Sequence, residues 1–532
     1  MFIRKKKNAG GTTSVILLTS DRRPGKKHSN LRVIKNFGAS SNEEELALLI
    51  QKAEEYKSHL LALSPKAATL KITSPRDIKS CLSFNVGFLD VYGKLFDDIF
   101  STVNLKPHEL KKLRDLIVMR IAAPASKRKT ARISRKYGID CGVDSIYKLM
   151  DQLKNDTITQ TKKIIHSHTT ELLKAQKKAV DVMFYDLTTV YFETNSQDTL
   201  RDFGFSKDGK GQHVQIMLAV IVTKHGLPID YDEFPGNCYE GHTLIPVLDK
   251  IKARYHLDQV VLVADAALMN KINLSTLTEK NINYVIAARI KNTNNEIQAL
   301  ILDQNEYKKI SSEKDDLLRA KTITLPTGGT LIAFHSGKRA RKDERDRQKE
   351  IERIEKYIKS TTKSQLTSRL KKPYVTISKA CKLEINLEKL NHEKRFDGFF
   401  GIQTNLEKIN PKELLSTYRG LWQVEQTFRI AKSNLEIRPV FHYNTKRIRA
   451  HFLICYMSLA LIRYVEFALL ANNLHYPIDQ LHLLLEQMNV INVYHADNNV
   501  YTLLEDPPPE LVPIYQALNI KWHKKFSHQT DL

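Results

Sequence analysis

Cysteine is scarce. The chain has five, Cys81, Cys141, Cys238, Cys381 and Cys455, and no two stand in a CxxC spacing. That excludes a disulfide framework and gives no zinc cluster. It fits a reducing cytoplasm. No secretory leader is expected, because Arg4-Lys5-Lys6-Lys7 is followed by an apolar run, Val15 to Leu18, too short for a signal peptide. The longest apolar segment, His451 to Asn472, contains Arg463 and Glu466, so it reads as a core helix and no membrane partner is expected. Acidic residues are in deficit, 59 against 83 Lys plus Arg, a formal net charge of +24 over 532 residues. Such an excess favours a polyanionic partner, most simply nucleic acid. A chain this long needs more than one core, roughly two to four structural units.

The positive charge is clustered. Residues 1–38 hold ten basic residues and one acid, Asp21. There Thr12 to Thr19 and Leu31 to Phe37 read as strands of a basic hairpin around Asp21 to Lys27. Glu43 to Leu63 has helical periodicity. Lys106 to Lys136 carries eleven basic residues and two acids. Within it, Ser126 to Lys136, a turn at Tyr137 to Gly142, and Val143 to Leu153 give the outline of a helix-turn-helix. Lys338 to Lys372 carries fourteen basic and six acidic residues. Arg341, Lys342, Arg345 and Lys349 lie close to one face of a helix there and are candidate phosphate contacts.

The stretch Ala179 to Glu193 reads as a buried strand, apolar and β-branched, with Asp186 at its middle. A carboxylate there needs a partner, a hydrogen-bond network or a metal. His213 to Val222 and Leu227 to Phe234 complete a three-strand meander about the turn His225-Gly226. A helix from Gly241 to Tyr255 leads to the apolar strand Gln259 to Asp265, which ends in a second carboxylate. A helix at Lys271 to Lys280, a strand at Tyr284 to Ile290 and a core strand at Phe399 to Asn405 follow. Asn410 then caps a helix running from Pro411 to Leu435, which carries Glu425.

That order of elements is an RNase H-like one, in which the first and fourth strands are neighbours and a late helix crosses their site. Asp186, Asp265 and Glu425 would then hold two Mg²⁺ (or Mn²⁺) ions roughly 3.5–4 Å apart. All-oxygen ligands suit those ions and not zinc.

The motifs resemble the bacterial DDE insertion-sequence transposases with an RNase H-like core and an inserted β-rich domain, of the insertion sequence four type. That group carries a Y-x2-R-x3-E-x6-K signature. Tyr418, Glu425 and Lys432 fit it; its Arg position is Leu421, with Arg419 nearby. The blocks Tyr185-Asp186-Leu187-Thr188-Thr189, Gly204 to Lys210, Gly236-Asn237 with Glu240, Val263-Ala264-Asp265 and Asp397 to Phe400 are similar to the same group. The resemblance implies Asp186, Asp265 and Glu425 as catalytic metal ligands. It places Tyr418, Arg429 and Lys432, with Arg419, Lys207 and Lys210, near DNA. Glu425, Arg429 and Lys432 fall at i, i+4 and i+7, one face of a helix.

The expected class is thus α/β: a mixed-sheet catalytic core at 176–291 and 397–475, interrupted by an inserted α+β subdomain at 292–396. It is preceded by a basic hairpin plus helix at 1–62 and a helical DNA-binding region at 63–175, and followed by a C-terminal helical tail at 476–532. The insertion is expected to stand as a separate lobe closing over DNA. The expected activity is metal-dependent cleavage and transfer of DNA strands at the terminal inverted repeats of an element, by a homodimer on the DNA, in the bacterial cytoplasm. The alternatives are a nuclease of the same core without strand transfer, and an inactive DNA-binding repressor.

Overall fold

The structure is a computed structural model. It describes residues 2–528 except 9–10, 22–29, 63–76, 179, 206–210, 256–260, 269, 314–315, 327, 361–373, 378–382, 408, 497–499 and 524–525. Two compact units emerge. One comprises Met1–Leu95, Ala131–Gly142 and Ala468–Leu532; the other comprises Phe96–Thr130 and Val143–Phe467.

The larger unit is built on one sheet. Its strands are β1 (Val182–Tyr191), β2 (Gln215–Thr223), β3 (Pro228–Pro235), β4 (Val261–Ala264), β5 (Asn283–Ala288), β6 (Lys308–Glu313), β7 (Asp316–Thr324), β8 (Thr330–Ser336) and β9 (Phe399–Thr404). β1, β2 and β3 form an antiparallel meander. β4 lies parallel to β1, and β5 parallel to β4. The spatial order β3-β2-β1-β4-β5, with helices between the parallel strands, is the RNase H-like core. Helices at Leu244–Tyr255 (α1) and Lys271–Glu279 (α2) make those crossovers, as parallel pairing requires.

Strand alternation assigns the two faces of this core. Met183, Tyr185, Leu187, Leu262 and Ala264 pack with Leu244, Val247, Leu248 and Ile251 of α1. Phe184, Asp186, Thr188, Val263 and Asp265 therefore belong to the opposite face.

The insertion does not stand apart as its own lobe. β9 pairs antiparallel with β5, so the two strands that flank the insertion are neighbours in one sheet. β8 then pairs with β9, and β7 and β6 follow, so the core sheet runs on to nine strands. The physical reason is the open edge that β9 would otherwise leave. β8 covers it with a buried apolar row, Leu331 to Phe334, and the Phe334 and Phe400 rings stack 5.0 Å apart. Beyond β8 the insertion supplies a long helix, α3 (Gly337–Ser360), and a small hairpin, Val375–Ile377 with Leu383–Ile385.

After β9 come α4 (Pro411–Arg419), α5 (Trp422–Arg429) and α6 (Thr445–Ala471). Asn410 caps α4, its side chain accepting from Lys412 N at 3.0 Å. The expected single helix from Pro411 to Leu435 is broken at Gly420. α6 is long and apolar enough to cross a membrane by composition, but 83% of its most apolar window is buried in the protein, the behaviour of a core helix.

The smaller unit corrects two expectations. The basic hairpin gains a third strand, Phe2–Lys7, on the edge of Thr13–Asp21, with Arg4 to Lys7 exposed. The C-terminal tail is not helical throughout. Asn489–His495 pairs with Val500–Leu504 on one side and with Ile78–Asn85 on the other, in a four-stranded sheet. Ile78–Asn85 is hard to read from the sequence because five of its eight residues are exposed, the apolar Leu82 among them.

The helix-turn-helix outline is also shorter than expected. Its first helix, Lys127–Ile133, has seven residues and passes into a 3₁₀ turn, and Lys127 is buried instead of facing a groove.

Candidate active site

Register brings the first two carboxylates together. Tyr185 of β1 is paired with Ala264 of β4 in parallel alignment, so Asp186 and Asp265 are the next residues of adjacent strands, on the same face. Asp186 is half-buried and accepts at Oδ1 from its neighbour Leu187 N at 2.7 Å. Asp265 lies just past the end of β4. It is exposed and accepts at Oδ1 from Ala266 N at 2.6 Å. Ending a parallel strand at an open carboxylate is the usual architecture of a site at the carboxyl edge of a sheet.

Glu425 arrives from the helix covering that face. α5 packs on β1 and β2. The close approach is set by Gly420, where a Cβ would lie 2.6 Å from Phe184 Cζ, and Phe184 shares the face of Asp186. Glu425 itself is exposed. Tyr418 reports the convergence: its hydroxyl pKa is pushed up to about 12, by burial first and then by the negative charges of Asp265 and Glu425. Arg339 pulls it the other way.

The cations sort unevenly. Arg429 ends α5, is exposed, and its charge reaches Glu466 of α6. Beyond it the chain opens into a π-helical turn, Ile430–Asn434. The half-buried Lys432 therefore leaves the straight i, i+4, i+7 stripe expected of it. Arg419 lines a cavity with Ile310, Ser311, Leu318, Lys412, Leu415 and Ser416. Lys207 and Lys210 lie outside the described residues.

On α3, Arg341, Lys342, Arg345 and Lys349 are exposed. Two neighbouring charges are otherwise engaged: Asp343 accepts from Gly398 N at 3.0 Å and Arg347 is paired with Asp397.

Sequence reasoning missed Arg339, which stacks over the Phe400 ring at 5.0 Å and whose charge reaches Tyr418. The available signal was its place three residues after a core strand, where the chain must leave the sheet beside the site.

The donor set fits a hard divalent cation. It is all carboxylate, and two of its three members are open to solvent. Among the described residues no group of three or more His, Cys, Asp and Glu side chains is drawn together as a metal-holding cluster. Asp186 and Asp265 are neighbours by register, and the charges of Asp265 and Glu425 both reach Tyr418, without the three closing a cage.

No curated protein matches the chain. Among solved structures it is similar to a piggyBac transposase synaptic complex with hairpin DNA, at 8% identity over 75% of this chain and 78% of that one, TM-score 0.37. A Mos1 transposase paired-end complex with the left transposon end matches at 9% identity over 44% of this chain and 66% of that one, TM-score 0.15. The family model of the transposase DDE domain matches residues 179–461. That span holds all three carboxylates and more than half of the chain, and the chain belongs to this family.

Proposed function

We propose that the chain is the transposase of a bacterial insertion sequence, of the group with the Y-R-E-K signature. It binds the element's terminal inverted repeats, cuts the DNA strand there and joins the freed end to target DNA. The reading is supported by the register that sets Asp186 beside Asp265 on β1 and β4, and by Glu425 lying on the helix that packs on β1.

Asp186, Asp265 and Glu425 would hold two Mg²⁺ or Mn²⁺ ions. Bound there, such ions supply an activated water or 3′-hydroxyl and neutralise the leaving oxygen. The chain's own residues do the rest. Tyr418, kept protonated by burial and by Asp265 and Glu425, keeps an O–H that can donate to a phosphate oxygen. Arg339 and Arg429, with Lys432, supply positive charge beside the carboxylates, where a phosphodiester must lie. The exposed cations of α3, Arg341, Lys342, Arg345 and Lys349, extend the phosphate-binding surface, and Arg419 with Lys412 offers a further contact. Lys207 and Lys210 are assigned to the same DNA by sequence alone.

Two ends must be held at once for a cut-and-paste reaction, so the working form on DNA is a homodimer. Among the described residues Cys81, Cys141, Cys238 and Cys455 form no disulfide, which suits a cytoplasmic setting. Supplying end-DNA, Mg²⁺ and a target plasmid tests the proposal. Joined product supports it. Cut product alone makes the chain a nuclease, and binding alone makes it a repressor.

A further inference from the structure

α5 must be held still for Glu425 to meet two strand-borne aspartates, and one side chain outside the carboxylate set does this. Arg463 lies on α6 and is 6% exposed. Its Nε donates to the carbonyl of Gly226 at 2.9 Å, and its Nη2 to that of His225 at 3.4 Å. Both carbonyls belong to the β2–β3 turn. The same Nη2 donates to Gln423 Oε1 at 3.1 Å, and Nη1 to Glu466 at 2.7 Å. One planar fork thus ties the first turn of α5 to the β2–β3 hairpin at one end of the sheet and to α6. A guanidinium can serve several acceptors in fixed directions, which a lysine cannot.

The turn is shaped around the guanidinium. Gly226 has φ +73°, and a Cβ there would lie 1.8 Å from Arg463 Nη2 and 2.7 Å from Gln423 Oε1. Only glycine leaves that space. A second link runs in parallel, since the charge of Arg429, at the far end of α5, reaches Glu466, the acid that Arg463 holds.

We infer that Arg463 is a positioning residue for Glu425, acting through Gln423. Gln423 sits two residues before Glu425, so releasing its side chain frees the turn of helix that carries the carboxylate, while the exposed cations of α3 stay in place. This rests on the proposed transposase activity, and the test separates the two.

The test compares Gln423→Leu, Gln423→Glu and Arg463→Lys with the wild-type chain. Gln423→Leu removes the bond to α5 but leaves Arg463 its three other acceptors, so the fold is kept. Gln423→Glu keeps an acceptor oxygen. Amide hydrogen exchange across Trp422–Arg429, measured without metal or DNA, should rise about tenfold in Gln423→Leu and Arg463→Lys and stay near wild type in Gln423→Glu. The Mg²⁺ concentration for half-maximal cleavage should rise in the same two variants, with DNA affinity within about twofold of wild type.

Unchanged exchange and unchanged metal dependence in Gln423→Leu would overturn the inference while leaving the activity standing. A uniform loss of melting temperature, affinity and cleavage, at wild-type metal dependence, would reduce Arg463 to a structural role and overturn it too. A wild-type chain that binds DNA but never cuts would defeat the activity itself, and with it any role of Arg463 in placing a catalytic group.

Discussion

Asp186, within β1, and Asp265, just past the end of β4, stand at the same level of two adjacent parallel strands, each one residue beyond the paired Tyr185 and Ala264. Nothing local in either segment requires this. It follows from the register of β1 on β4, and a slip of one residue would send one carboxylate to the apolar face under α1. The site is therefore as rigid as the sheet, and only Glu425 depends on a helix for its place.

DNA binding should be steeply salt-dependent. The exposed cations of the N-terminal strand, of Lys106 to Lys136 and of α3 can each neutralise phosphates, and each neutralised phosphate adds about −0.9 to the slope of log K against log salt. Titrations of labelled duplex at several salt concentrations give the slope. A value near zero would mean the charge plays no part in binding.

The α3 face should act as a clamp. Changing Arg341, Lys342, Arg345 and Lys349 together to Glu should weaken DNA binding by more than about tenfold, or about 1.4 kcal/mol, with circular dichroism unchanged. Asp343 and Arg347, tied to Gly398 and Asp397, should keep the helix docked. Unchanged affinity at physiological salt would assign DNA binding to the N-terminal clusters instead.

Burial of cations near α6 should make the fold acid-sensitive. Lys127 has no hydrogen-bond partner for its Nζ among the described residues. Burial, and then the charge of Arg120, hold its pKa well below the ordinary lysine value. The unfolded chain binds that proton more readily, so stability rises with pH up to the lysine range. Lys127→Met should therefore melt higher than wild type at neutral pH, with the gap narrowing as pH is raised. His442 is lowered from 6.5 to about 3, by burial first and then by Lys127, Arg120 and Arg447. Stability should fall as pH drops through that window, and His442→Gln should flatten the fall. Thermal melts across pH check both; a pH-independent gap for Lys127→Met would refute the first.

Gly226→Ala should destabilise the core by about 1–3 kcal/mol, because its Cβ would meet the Arg463 guanidinium at 1.8 Å. Chemical denaturation measures this. A neutral substitution would mean the turn relaxes without moving Arg463.

Much of the core is legible in the sequence because its strands are buried on both faces and read as apolar runs, Val182–Tyr191 and Val261–Ala264 among them. The Asn410 cap and the His225-Gly226 turn are local chemistry and equally readable. What escapes is non-local. Ile78–Asn85 is a strand because Asn489–His495, far along the chain, pairs with it, and its mostly exposed residues show no buried face to announce it. β6 to β8 join the core sheet because β9 offers an edge, which composition does not show. The aspartates stand out as charges in apolar surroundings, whereas Arg339 and Arg463 look like any surface or helix arginine until the sheet places them.

The central claim is that Asp265, with Asp186 and Glu425, makes a metal-dependent strand-cutting site. It is tested most directly by incubating a plasmid carrying the element's end with wild-type protein and with Asp265→Asn, with Mg²⁺ and with chelator. The account predicts cutting by wild type in Mg²⁺ only, and no cutting by Asp265→Asn although it binds the end with wild-type affinity. Cutting by Asp265→Asn at the wild-type rate, or by wild type in chelator, would contradict it.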